Sequence, residues 1–355
     1  MIFSTSVVFM RILLQSIPSG ANVHKNFLPL LRVVLGLAAM VYLFHTIYQL
    51  YISEPQSWAV LFQFSPLSVF LLFIVLFLMP LNWGIEMIKW KILTRKIEEL
   101  STAKIAKSIL IGISLGMITP KRTGEFAGRI MMLSPGNRLK GLLLNTAGSM
   151  SQLFITLLMG TAGLLALIQL IPVDTFLKNS NLKQNSDLIL TMGIFLAFSV
   201  PALLYFLSHT GFRLKNSSKN ASRINKLFNT FACLSVADLS GLLSLSFLRY
   251  FVFVFQFWLL LIISGMHVPV IVFFALVSVM YLLMALIPLS AIWEVGIRGS
   301  VALFVFGLYF PEGMAFQPAV IAASTGLWFI NLALPALTGS IIAMRSDFRN
   351  QIQDE

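Results

Sequence analysis

Acids and thiols are scarce in this chain. Cys233 is its lone cysteine, His24, His45, His209 and His267 are scattered, and only 13 Asp and Glu occur among 355 residues. A single cysteine excludes an intramolecular disulfide and a thiolate zinc knuckle. No zinc-ligand spacing, Walker loop, nucleophile elbow or dinucleotide fingerprint occurs, so no metal or cofactor is expected. Charge of both signs is thin as well, at 11% of residues against 58% hydrophobic, where a soluble domain carries roughly 25% charged. That balance excludes a water-soluble globular protein. The 25 Lys and Arg leave a formal charge of +12, yet they gather in short segments between apolar runs. This placement fits loops facing an anionic cytoplasmic leaflet and argues against a nucleic-acid partner.

What the chain does have is a series of apolar runs near the roughly 20 residues that cross a bilayer, at 28–50, 67–88, 142–171, 188–207, 241–264, 270–288, 297–310 and 317–343. The fold expected is all-α, a polytopic transmembrane helical bundle with about eight spans. A shorter apolar stretch, 105–119, ends at Thr119-Pro120 and is followed at once by Lys121, Arg122, Glu125 and Arg129, the pattern of half a helix and a return.

Lys89, Lys91, Arg95, Lys96, Lys104 and Lys107 surround one loop, and Arg213, Lys215, Lys219, Arg223 and Lys226 fill another. Both loops are expected in the cytoplasm. Parity then requires 105–140 to enter and leave on one side as a re-entrant hairpin, with both termini inside. Residues 1–27 read as an interfacial N-terminal segment, since Arg11 interrupts its apolar run and no signal-peptide cleavage pattern follows. Residues 28–345 form the membrane domain and 346–355 a cytoplasmic tail.

Ionisable groups inside a membrane are expensive and mark either function or internal pairing. Two sites share one pattern: Pro120 is followed by Glu125 and Arg129, and Pro288 by Glu294 and Arg298. Each is an apolar helix, a proline break, then Glu and Arg four apart, a spacing that lets each Glu neutralise its Arg on one helix face. Gly112 with Gly116, and Gly124 with Gly128, have the spacing that lets helix backbones approach closely. Broken helices recurring in two halves point to a transporter site at the interface of an inverted repeat, whereas the plainer reading makes each Glu–Arg pair a structural clip. Arg249, inside the run 241–264 and downstream of Asp238, is either one half of a structural pair or a polar pathway residue. Glu86 and Lys89 end a span, where snorkelling to the interface is the default. Trp90, Trp58 and Tyr51 fit interfacial aromatic belts, and the 31 Phe and 16 Met read as lipid-facing and packing residues.

The stretch Thr119-Pro120-Lys121-Arg122-Thr123-Gly124-Glu125-Phe126-Ala127-Gly128-Arg129 resembles the signature of the flippase-like membrane family typified by the transmembrane half of lysylphosphatidylglycerol synthases. Trp90-Lys91-Ile92-Leu93 is similar to that family's Trp-rich junction, and Pro288-Leu289-Ser290 with Gly296-Ile297-Arg298 to its second motif. Trp293 and Glu294 stand here where the family has glycines, and Gly299 where it has Glu. The resemblance implies lipid translocation or lipid binding in a bacterial cytoplasmic membrane, without aminoacyl transfer. The expected cargo is an anionic, aminoacylated or polyprenyl-phosphate-linked lipid, and the expected partner is a separate headgroup synthase or glycosyltransferase. The residues assigned to headgroup binding are Glu125, Arg129, Glu294, Arg298, Arg122 and Arg249. The alternatives are an intramembrane lipid-modifying enzyme, with Glu125 or Glu294 as base, and a non-transporting scaffold.

Overall fold

The computed structural model describes residues 65–119, 122–170, 233–287, 291–310 and 316–345, the backbone alone at 291–293, and isolated positions at 41–52 and 230–231. Every regular element among them is helical. The expected run at 188–207, the loop at 208–226 and the segments 1–27 and 346–355 lie outside the described residues, as do Tyr51, Trp58, Pro120, Lys121 and Pro288. Of the run at 28–50, only Val41, Phe44, His45, Ile47 and Tyr48 are described, all helical.

Among the described residues four helices are long and apolar enough to cross a membrane, which makes this a helical integral membrane protein. The first, α1 (Pro66–Thr94), starts at Ser65, whose hydroxyl accepts from the amide of Ser68, with Pro66 in the first turn, where a missing N–H costs nothing. Helices α2 (Thr102–Ile118) and α3 (Thr123–Met131) follow, then α4 (Arg138–Leu170). Helix α5 (Val236–Ile263) opens with a reciprocal cap in which Ser235 and Asp238 satisfy each other's backbone amides. After α6 (Val270–Leu286) and α7 (Ala291–Gly307), the last crossing runs through α8 (Gln317–Trp328), a π-helical turn (Phe329–Ala333) and α9 (Leu334–Arg345).

Helices α2 and α3 form a tight hairpin. A Cβ on Gly128 would strike the backbone of Gly112, one on Gly124 would strike Leu115, and one on Gly112 would lie 2.8 Å from the carbonyl oxygen of Glu125. These three glycines interlock the two backbones, as their spacing predicts. Both feet of the hairpin stand at one end of the bundle. Before α2, the Glu98 carboxylate accepts from the amide and hydroxyl of Ser134 at 3.0 and 2.7 Å and from the Asn137 amide at 3.2 Å, just before α4. Lys96 reaches Asp238 at the start of α5 in the same region, at 2.7 Å. Burial alone would raise the Glu98 carboxyl, but these hydrogen bonds and nearby Lys104 hold it below the usual carboxylate range. At the tip, Thr119 is extended (φ −99°, ψ 142°), the conformation that a following proline imposes.

Helices α6 and α7 form a second hairpin rather than two independent rods. The Phe257 ring of α5 stacks on Phe273, in the first turn of α6, with centroids 6.2 Å apart. It also meets Phe306, at the end of α7, edge-on at 6.0 Å. These feet lie 19 residues along α5 from Asp238, roughly 28 Å at 1.5 Å per residue, so the second hairpin enters from the opposite end. Ile287 is extended (φ −95°, ψ 114°) before Pro288, the same break as at Thr119. Gly160 and Gly163 of α4 seat Leu282 and Ser278 of α6.

Two apolar clusters fill the bundle. One gathers Phe257, Phe273, Leu276, Phe306 and Val320 near the second hairpin's feet. The other gathers Trp90, Leu93, Ile105, Ile109, Leu144 and Leu242 near the first hairpin's feet. Trp90 is 1% exposed, so its expected place in an interfacial belt is corrected: a ring closing the α1 end packs between α2, α4 and α5. Asn331 stands between Ile330 of the first cluster and Leu332 of the second, at the level where the polar residues collect.

Candidate functional site

The tips of the opposed hairpins meet in an ion-pair chain. Arg122, at the turn into α3, donates from Nε to Glu125 Oε1 at 2.6 Å and from Nη1 to Glu294 Oε2 of α7 at 3.3 Å. Glu294 Oε1 in turn accepts from Arg298 Nη2 at 2.5 Å. Arg122 has φ 57°, and it is the only non-glycine with positive φ among the described residues. A side chain held in that sparsely occupied region at a hairpin tip is a local cost that the surrounding contacts must sustain. Gly116 leaves room for Glu125, since a Cβ there would lie 2.6 Å from its Cγ. The hydroxyl of Thr119 accepts from the Gly124 amide at 2.8 Å, tying the first turn of α3 to the end of α2.

Glu294 and Arg298 pair as their spacing predicts, but Glu125 and Arg129 do not. Glu125 faces α2 and the tip, where Arg122 takes it, whereas Arg129 is a turn further on and faces α1 and α4. There Arg129 Nη1 bonds Glu86 Oε1 and Asn145 Oδ1, both at 2.7 Å. Arg249 likewise passes over Asp238, which is three helical turns away and occupied by the cap and Lys96. Its Nη1 bonds Glu86 Oε2 at 2.7 Å and its Nε bonds Asn82 Oδ1 at 2.9 Å. The ring of Trp83 lies under the guanidinium, 5.2 Å from centroid to Cζ.

Glu86 is therefore the hub, and snorkelling is corrected. Glu86 and Lys89 are 5% and 2% exposed, and the Lys89 ammonium stands 3.5 Å from Glu86 Oε2. The Glu86 carboxylate lies within ion-pair distance of all three cations, so each has its counter-charge inside the bundle rather than in water at an interface. Asn82, Glu86 and Lys89 are spaced i, i+4, i+7, one face of α1, and that polar stripe in an apolar run is the signal that could have found them.

A polar ladder continues from this hub. Asn82 donates to Asn331 Oδ1 and Asn331 donates to Gln256 Oε1, each at 3.0 Å, and Gln256 donates to the Val75 carbonyl at 2.9 Å. The π turn has a visible cause: Pro335 has no amide to offer four residues back, which frees the carbonyl of Asn331. Trp83 Nε1 donates to that carbonyl at 3.2 Å.

The hub and the tips are joined through α3, which brings Glu125 to Arg122 at the tip and, one turn further on, Arg129 to Glu86. The structure thus brings together all six residues assigned from sequence, and adds Glu86, Lys89, Asn82, Asn145 and Asn331. Five cations stand against three carboxylates, leaving two positive charges in surplus. Side-chain exposure falls from 31% at Arg122 through 19% at Glu125 and 14% at Arg249 and Arg298 to 2% at Lys89. Among the described residues no group of three or more His, Cys, Asp and Glu gathers as a metal site would require. No protein-family model and no curated protein matches the chain.

Proposed function

We propose that the protein is an integral membrane lipid translocase, flippase-like in action, that moves an anionic, aminoacylated or polyprenyl-phosphate-linked lipid between leaflets. The observation that carries this reading is the meeting of two opposed, proline-broken hairpins through Arg122 and Glu294, with a net positive and partly exposed cluster behind them. Charge at depth is affordable while paired, and a pair that can exchange partners with an incoming headgroup lets the site alternate between empty and loaded. Arg122, Arg129, Arg249 and Arg298 bind the phosphate; Glu125 and Glu294 balance the charge when the site is empty. The residues needed for this lie in the membrane interior, and no nucleotide motif accompanies them, so the energy source is an ion gradient, a partner or the lipid gradient itself.

Scrambling of fluorescent phospholipid and prenyl-phosphate analogues in proteoliposomes tests the assignment. Arg129→Gln and Arg298→Gln should each slow transfer at least about tenfold, the effect of losing one charge-assisted contact. Arg129→Lys should recover only part, having lost the planar fork. Equal rates for wild type and both Gln variants, at matched reconstitution and clearly above empty vesicles, would remove the arginines from the mechanism.

In the membrane we place the basic end, with Lys91, Arg95, Lys96, Lys104, Lys107, Arg138 and Lys140, in the cytoplasm of a bacterial cell, with both termini on that side. Both hairpins are re-entrant: each arm of α2, α6 and α7 has 17 residues, about 25 Å, short of the roughly 30 Å hydrocarbon core. The span count becomes six, counting the runs at 28–50 and 188–207, in place of eight. In a Cys233→Ser background, Gly136→Cys should react with a membrane-impermeant maleimide only from the cytoplasm and His267→Cys only from outside. Leu286→Cys should react from neither side at their rate. Cytoplasmic labelling of Leu286→Cys as fast as Gly136→Cys would restore two full spans at 270–310.

A further inference from the structure

We infer that the interior cluster selects a headgroup carrying two negative charges, a phosphate monoester or a diphosphate, over a singly charged phosphodiester; this rests on the translocase reading above. The four charges at the hairpin tips cancel, Arg122 and Arg298 against Glu125 and Glu294. The whole surplus therefore sits on Lys89, Arg129 and Arg249 around Glu86, the only acid among them. A phosphodiester would leave one positive charge uncompensated in a medium where unbalanced charge is costly, whereas a dianion closes the balance.

The donors fit the same ligand. Arg129 bonds its protein partners through Nη1, and Arg249 through Nε and Nη1. The Nη2 of each has no partner among the described residues. Two guanidinium Nη2 groups and an ammonium match the three terminal oxygens of a phosphate monoester, and a diester has one fewer free oxygen to offer them. The path in is graded: the hub side chains are 14% exposed or less, Arg122 is 31% exposed, and Ile118 and Leu286 beside the two tips are 74% and 64% exposed. Those apolar side chains give an alkyl or prenyl chain a surface while its phosphate reaches the arginines.

Thermal-shift titration of the full chain in neutral detergent at pH 7 tests the charge rule with matched probes. Dodecyl phosphate is a dianion there, its second ionisation lying near pH 6, and dodecyl methyl phosphate is a monoanion of nearly the same shape. Dodecanol and inorganic phosphate supply the tail and the anion alone. Dodecyl phosphate should bind at least about tenfold tighter than its methyl ester, and Lys89→Met should shrink that ratio toward unity by removing one surplus charge. Equal affinity for the two esters would overturn the dianion preference while leaving an anionic-lipid site in place. Neither ester binding better than dodecanol would overturn the translocase reading as well. Inorganic phosphate competing as well as dodecyl phosphate would keep the charge rule and overturn the lipid as its source. If Lys89→Met does not fold, the wild-type ratio of the two esters decides alone.

Discussion

Glu86→Gln is expected to be the most damaging single substitution in the chain. It removes the one carboxylate shared by Lys89, Arg129 and Arg249 while keeping the side chain's volume, so the loss is electrostatic rather than steric. Breaking a buried ion pair from one side costs roughly 3–5 kcal/mol, and here three cations lose their counter-charge at once. The variant should lose most of its monodisperse peak in detergent, or melt many degrees below wild type. Glu86→Asp should fall between them, because the shorter side chain keeps the charge but cannot reach Arg129 and Arg249 together. Glu86→Gln combined with Lys89→Met should recover part of the loss by removing one unpaired cation. A Glu86→Gln protein that melts with wild type would show that the hub is not the counter-charge of these cations.

Much of this organisation is legible in the sequence, and the parts that are not have physical causes. Of the eight apolar runs, those at 67–88, 142–171, 241–264 and 317–343 coincide with the four long described helices, and the paired glycines at 112, 116, 124 and 128 foretold the close hairpin, because close approach depends on a missing side chain alone. The proline breaks were legible for the same kind of reason: Thr119 and Ile287 are extended by the local restriction before proline. Partner choice was not legible. Glu125 and Arg129 have the right spacing, but helix spacing states only which groups can meet, while Arg122 and Glu86 compete from a turn and from another helix. Lys89 looked like a snorkelling residue because position along a run says nothing about which neighbours surround its end. The hairpin made by α6 and α7 was hidden because 270–288 alone is nearly long enough for a span, and only the packing of Phe273 and Phe306 on one ring shows that their far ends coincide.

The contact between Arg122 and Glu294 joins segments 172 positions apart, and no other ion pair between described residues links the two hairpins. A common site requires it, since separate hairpins would leave two small structural clips. Arg122 is about one-third exposed, so water screens part of the attraction, and the pair's coupling is expected near 1 kcal/mol rather than the larger value of a fully buried pair. Arg122→Gln also releases Glu125, so its total effect exceeds that coupling, and transfer by this variant should fall to the background of empty vesicles. The most direct measurement is a double-mutant cycle on thermal stability in detergent, with Arg122→Gln, Glu294→Gln and the two combined. The double variant is expected to lose clearly less than the two single losses added together, by about 1 kcal/mol. Losses that simply add, to within about 0.3 kcal/mol, would contradict a meeting of the two tips through this pair.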